Sequence, residues 1–226
     1  ALGSLNPDQV KSLNEVLRNG KNLLELINDI LDLAKLESGK MEINADAFDL
    51  KDLVQDIKTS LMPLIRKKEH ELNLHIQDGL RPIYADALRV RQILVNLIGN
   101  SIKFTEQKGE IDVFLEYFDD VHELCSQEFP NEDVASDILE SPAFVIRVRD
   151  NGIGIKSDDI RSIFELFKQA DPSYTRRHEG SGLGLALTRQ LVLFHKGFIS
   201  VKSEYGQWTE FKVLLPQIIS SQRVAI

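Results

Sequence analysis

The stretch Asn96-Leu97-Ile98-Gly99-Asn100-Ser101-Ile102-Lys103-Phe104 carries the reading on which the fold turns. Ile93, Leu94, Leu97 and Ile98 recur at helical spacing toward a core, and Asp86 opens this helix, which runs to about Phe104. Asn96, Asn100 and Lys103 then fall at i, i+4 and i+7 on one face. An amide oxygen is a hard ligand for magnesium, and a lysine ammonium neutralises phosphate oxygens. Taken alone, this face reads equally well as a solvated helix surface.

Working outward, Asp49 caps an upstream helix with Leu50, Leu53, Val54, Ile57, Leu61 and Leu64 on one side, and Leu72, Leu74 and Ile76 alternate as a strand. Downstream, strands are expected at 111–117 and 144–148, helices at 157–167 and 183–195, and strands at 198–203 and 210–215. The acidic stretch 118–142 reads as a surface hairpin insertion, a solvated loop first and a contact surface as the alternative. This order predicts an α+β fold, a two-layer α/β sandwich with helices on one face of a mixed, mostly antiparallel sheet.

The first 42 residues have a different pattern. Val10, Leu13, Leu17, Leu24, Ile27, Leu31 and Ala34 alternate at spacings of three and four, with Gly20 in the one gap. A second stripe of Val16, Leu23 and Ile30, with Leu26 and Leu33, widens the face to that of a bundle helix. Asn6 is placed to cap it, Pro7 to fill the first turn, Gln9 to complete a capping box, and Ser38-Gly39 to end it. Residues 1–42 are therefore expected as a long coiled-coil or bundle helix, and residues 43–226 as a separate domain.

Composition narrows the function classes. A formal net charge of -8 argues against broad nucleic-acid binding. The single Cys125 excludes an internal disulfide framework and a multi-cysteine zinc site, as in a reducing compartment. No run of eighteen apolar residues is present, so no membrane contact by this chain is expected. A cytoplasmic location is expected, with a membrane-anchored parent still compatible. The lack of an initiator Met fits an excised or processed fragment.

Two glycine clusters add chemistry. Asp150-Asn151-Gly152-Ile153-Gly154 follows a strand, where glycines admit close backbone approach and a carboxylate can accept from an adenine amino group. Gly180-Ser181-Gly182-Leu183-Gly184-Leu185 opens a helix whose N-terminus favours phosphate. The polar, irregular segment before it is not the strand that a dinucleotide-binding turn requires. Ser173-Tyr174-Thr175-Arg176-Arg177-His178 reads as a basic lid over triphosphate. Ile163-Phe164-Glu165-Leu166-Phe167 reads chiefly as core packing.

In this order and spacing, the four segments resemble the N, first glycine, F and second glycine boxes of sensor histidine kinases. The opening helix likewise looks like the second helix of their dimerisation and phosphotransfer domain. The resemblance implies the Bergerat ATP-binding fold of the GHKL type, with ATP and Mg2+ as cofactors. It implies that Asn100 binds magnesium, Asn96 and Lys103 phosphate, that Phe104 stacks on adenine, and that Asp150 reads the adenine amino group. Gly152, Gly154, Gly180, Gly182 and Gly184, with Leu183 and Leu185, would shape the pocket and lid that carries Arg176 and Arg177. It also implies a homodimer through the N-terminal helix and a response regulator receiver domain as partner.

Related ATPases of this fold use a glutamate four residues before the magnesium-binding asparagine to activate water. Asn96 stands there and takes no proton at neutral pH, which favours phosphoryl transfer to histidine over hydrolysis. The acceptor is expected outside this chain, leaving it unable to autophosphorylate. His70-Glu71-Leu72 and His122-Glu123-Leu124 mimic an acceptor box but are followed five positions on by His75 and Gln127 rather than proline. His178 in the lid and His195 at a helix end are expected to be surface histidines rather than catalysts. Trp208 departs from the glycine usual in the family before the last strand, which leaves the shape of that turn open.

Overall fold

The computed structural model describes residues 5–129, 136–139, 141–166, 168 and 182–217. The chain divides into two compact units, Ala1–Met41 and Glu42–Ile226. The first is built on one helix, α1 (Pro7–Glu37). Its start follows the sequence directly: Asn6 Oδ1 accepts from the Gln9 amide at 2.8 Å, and Gln9 Oε1 accepts from the Asn6 amide at 2.9 Å. Leu13, Leu17, Leu24 and Leu31 are each more than half exposed, an apolar stripe along its length.

The second unit runs β1 (Asp46–Phe48), α2 (Leu50–Lys67), β2 (Glu71–Ile76), β3 (Ile83–Ala85), α3 (Ala87–Phe104), β4 (Glu110–Phe118), α4 (His122–Glu128), α5 (Ser136–Leu139), β5 (Ala143–Asp150), α6 (Ser157–Ile160), α7 (Gly184–Phe194), β6 (Phe198–Glu204) and β7 (Trp208–Pro216). Aspartates start both long helices. Asp49 Oδ1 accepts from the amides of Lys51 and Asp52, and Asp86 Oδ1 accepts from those of Leu88 and Arg89. Asp86 Oδ2 also holds the Asn44 amide at 3.0 Å, so one buried carboxylate fixes both the helix and the chain leading into the domain.

Five strands form the main sheet in the order β2-β4-β5-β7-β6. Only the β2–β4 pair is parallel, and β1 pairs with β3 in a separate antiparallel ribbon. Alternation sends Ile111, Val113 and Leu115 of β4, Phe144, Ile146 and Val148 of β5, and Val213 and Leu215 of β7 to the inner face, all buried. There α3 lies between α2 and α7. Its Ile93, Leu94, Leu97 and Ile98 are at most 1% exposed. Each contributes about 1.5–3 kcal/mol by burial. That outweighs the roughly 0.5–1 kcal/mol per residue by which Asn and Gly disfavour a helix, so packing holds a polar-faced helix in place.

Two expectations are corrected. The 118–142 stretch is no hairpin among its described residues: it contains α4 and α5, and Val121, Cys125 and Phe129 pack on Ala143, Val145, Phe198 and Leu214. These strand residues lie on the outer sheet face, so the helices are not confined to one side. Glu128 bridges Lys202 and Lys212 at 2.7 and 2.8 Å, fastening α4 down. Over the described residues 157–166, the helix expected at 157–167 is only the single turn α6. Beyond it the spacing is mixed: the Ser162 and Glu165 amides bond three residues back, to Asp159 O and Ser162 O, the Ile163 amide bonds four back to Asp159 O, and Ser162 Oγ also bonds Asp159 O.

Candidate nucleotide site

The polar face of α3 points toward the loop after β5 and the start of α7. Asp150, the last residue of β5, is 5% exposed. Its Oδ2 accepts from Ser101 Oγ at 2.7 Å and its Oδ1 from the Gly152 amide at 3.0 Å. Burial raises the Asp150 pKa above the usual carboxylate value, against the opposing pull of those two donors. The carboxylate is thus held in place by the protein in a water-poor setting.

The glycines answer to close approach. A Cβ at Gly152 would sit 2.7 Å from Phe104 O, and the next amide, Ile153 N, donates to that same oxygen at 3.2 Å. The loop is therefore laid directly on the end of α3. Gly154, at φ +65°, lies against the carbonyl of Glu204, where any Cβ would clash. Gly206, at φ +83°, makes the turn into β7, so Trp208 leaves that turn intact and instead lies under the Arg149 guanidinium, 4.9 Å from its ring centre.

Lys68 closes the other side of this helix end. Its ammonium donates to the carbonyls of Ile102, Lys103 and Thr105 at 2.7–2.9 Å, neutralising the negative end of α3. Lys103 extends beside Phe104, with Nζ 4.8 Å from the ring centre, and desolvation lowers its pKa. Phe104 keeps 36% of its surface exposed at the helix end.

Asn96 lies where α3 meets α7. Its Nδ2 donates to Thr188 Oγ1 at 2.7 Å, and a Cβ on Gly184 would clash with its Oδ1. Asn100, one turn on, directs its Nδ2 toward Asn96 Oδ1 at 3.5 Å. Of the second glycine cluster, Gly182 takes φ +71°, Leu183 is fully buried, and Gly184 and Leu185 begin α7. Gly180, Arg176 and Arg177, with the rest of the expected lid, lie outside the described residues.

The structure thus brings Asn96, Asn100, Lys103, Phe104, Asp150, Gly152 and Gly184 around one region. Sequence reasoning missed Ser101, Lys68 and Thr188. The readable signal for Ser101 and Thr188 was a hydroxyl at a core-facing helical position. Lys68 carried none. The His70 and His122 decoys are accounted for: His70 is buried with Nε2 2.8 Å from Glu106 O, and His122 contacts Asp120 in the insertion.

Residues 85–219 match the family model described as histidine kinase-, DNA gyrase B-, and HSP90-like ATPase. The chain belongs to that ATPase family. Within it, the chain is 37% identical over 208 residues to the signal transduction histidine-protein kinase BarA of Escherichia coli, covering 92% of this chain and 21% of that protein. It is 36% identical to the circadian input-output histidine kinase CikA of Synechococcus elongatus, covering 96% and 26%. It therefore spans about a quarter of the length of these curated relatives. Full-length ShkA, solved with AMPPNP, superposes with a TM-score of 0.72 at 27% identity, over 99% of this chain and 42% of that one. The catalytic domain of histidine kinase ThkA shares the fold at a TM-score of 0.58 and 21% identity, over 78% of this chain and 99% of that one. This ATPase-family domain is thus the ATP-binding catalytic domain of the sensor histidine kinase type.

Proposed function

We propose that the chain is the catalytic part of a two-component sensor histidine kinase, binding Mg2+-ATP and passing the terminal phosphoryl group to a histidine outside this chain. The observation that carries this is the buried Asp150 carboxylate, fixed by Ser101 and Gly152 beside Phe104, with Asn96 and Asn100 on the same helix. Asp150 accepts from the adenine amino group, Phe104 covers the base, and Lys103 and Asn96 face the phosphates. Gly182 and Gly184 give the chain close access at the start of α7, and Gly180, Arg176 and Arg177 complete the lid.

A magnesium ion fits the donor set. Among the described residues no cluster of three or more His, Cys, Asp or Glu side chains is present to cage a metal. A single amide oxygen from Asn100, completed by phosphate oxygens and water, is the arrangement Mg2+ favours. The ion supplies charge neutralisation at the phosphates, while Asn96, lacking a basic oxygen, leaves water unactivated. The response regulator is the onward phosphoryl acceptor, and α1 forms a homodimer through its exposed stripe, residues 1–42 being the dimerisation segment. A cytoplasmic location follows from this reading.

Calorimetry with ATP tests it. Tight binding should need Mg2+, and Asn100→Ala should weaken it at least tenfold in a folded protein. Adding an acceptor-helix fragment should yield acid-labile phosphate on that fragment. Metal-independent binding, or no transfer to any acceptor helix despite binding, would overturn the proposal.

A further inference from the structure

We infer that Thr188, outside the four sequence segments, is a positioning residue that seats the amide of Asn96 and through it orients the metal-facing amide of Asn100. The inference rests on the magnesium-nucleotide reading above and adds to it a residue that touches neither nucleotide nor ion.

Thr188 is 1% exposed and is the one polar side chain among the buried residues of α7, the others being Ala186, Leu187, Leu191 and Val192. Its Oγ1 accepts from Asn96 Nδ2 at 2.7 Å. One turn earlier, Gly184 has no side chain, and the Asn96 amide fills the place where a Cβ would stand. Gly184 and Thr188 thus form a two-point seat on one face of α7 for a side chain of α3.

The seat also has a polarity. A carboxamide's oxygen and nitrogen are nearly the same size, so surrounding charge decides which way round it lies. The N-terminal turn of α7 carries partial positive charge, and Asn96 Oδ1 is the atom beside Gly184 in that turn. Its nitrogen is the atom placed on Thr188, a turn deeper. With Asn96 Oδ1 so placed, Asn100 turns its nitrogen toward that oxygen, at 3.5 Å. Its own Oδ1 then faces away, the only Asn100 side-chain atom able to bind a cation.

Thr188→Val keeps the volume and removes the polar partner. ADP binding is measured by calorimetry for the unmodified protein, Thr188→Val, Thr188→Ser and Asn100→Ala, with and without Mg2+. Thr188→Val should lose about tenfold in affinity with Mg2+, lose clearly less without metal, where only the Asn96 contact to phosphate is disturbed, and need more Mg2+ for half of the enhancement. Thr188→Ser should restore both. Should the valine variant not fold, Thr188→Ala removes the same hydroxyl without a methyl against the amide. An unaltered Mg2+ titration in the valine or alanine variant, or equal losses with and without metal, overturns the inference. Failure of the underlying reading looks different: the unmodified protein and Asn100→Ala would then bind ADP alike whether or not Mg2+ is present.

Discussion

Ser101 of α3 donates its hydroxyl to Asp150 at the end of β5 across 2.7 Å, and this buried bond joins the helix to the sheet at the centre of the proposed adenine pocket. The carboxylate oxygen that accepts from Ser101 cannot rotate away without leaving a buried hydroxyl unsatisfied. Asp150 is therefore pre-set before any ligand arrives.

That arrangement costs stability. A carboxylate whose folded pKa is raised stabilises the fold below its unfolded value near 3.8, and this contribution is lost as pH rises through the folded value. At neutral pH Asp150→Asn should thus melt no lower than the unmodified protein, Ser101 accepting where it now donates. The same variant should lose about tenfold or more of the preference for ATP over GTP, read by competition binding. A lowered melting temperature with selectivity retained would contradict both halves.

Histidine burial gives the opposite pH dependence. His195, expected at the surface, is instead 1% exposed, because the end of α7 packs into the core; its Nδ1 carries the proton to Leu191 O at 2.8 Å, and Nε2 has no partner among the described residues. Burial lowers its pKa, helped by Arg89 and opposed by the Leu191 bond and Asp86. Its contribution is present above the ordinary imidazole value of 6.5 and is lost as pH falls through the depressed folded value. Melting temperature should fall from pH 7 toward pH 5, and His195→Gln should make that slope shallower. His70, lowered chiefly by burial, contributes in the same direction.

Phe129 tests the outer-face packing. Its ring is 4% exposed and lies 5.8 Å from that of Phe198. Phe129→Ala should destabilise the domain by about 3 kcal/mol, the low end for a buried phenylalanine. A solvated loop would give a change within about 0.5 kcal/mol, so urea unfolding separates the two.

No histidine described here is placed for phosphorylation. His70 and His195 are buried, while His75 stacks on Phe114 at 4.4 Å on the outer sheet face, opposite α3. His122 sits on α4, which covers part of that same outer face. Radiolabelled ATP should leave no acid-labile, alkali-stable label on this chain, and ATP turnover should stay slow because Asn96 is no base. Label on the chain would make one of its histidines an acceptor.

Sequence by itself determined the helix starts at Asn6, Asp49 and Asp86, the inward and outward faces of α3, and the chain order of the five main-sheet strands, though not the short β1–β3 ribbon. Each follows from local rules: a side-chain oxygen reaching an amide two or three residues on, or an apolar period of 3.6 or 2. The close approaches of Gly152 and Gly184 were legible as glycine clusters, though not what they approach. Tertiary structure alone decided the parallel pairing of β2 with β4, the burial of Val121, Cys125 and Phe129 against the outer face, and the bonds Ser101–Asp150, Lys68–Lys103 O and Asn96–Thr188. Those bonds join residues 35 to 92 positions apart, and a hydroxyl, an ammonium or a short apolar triplet carries no local mark of the partner it will meet. Only when hydrophobic burial has closed the two layers does each polar group come within reach of the one that satisfies it.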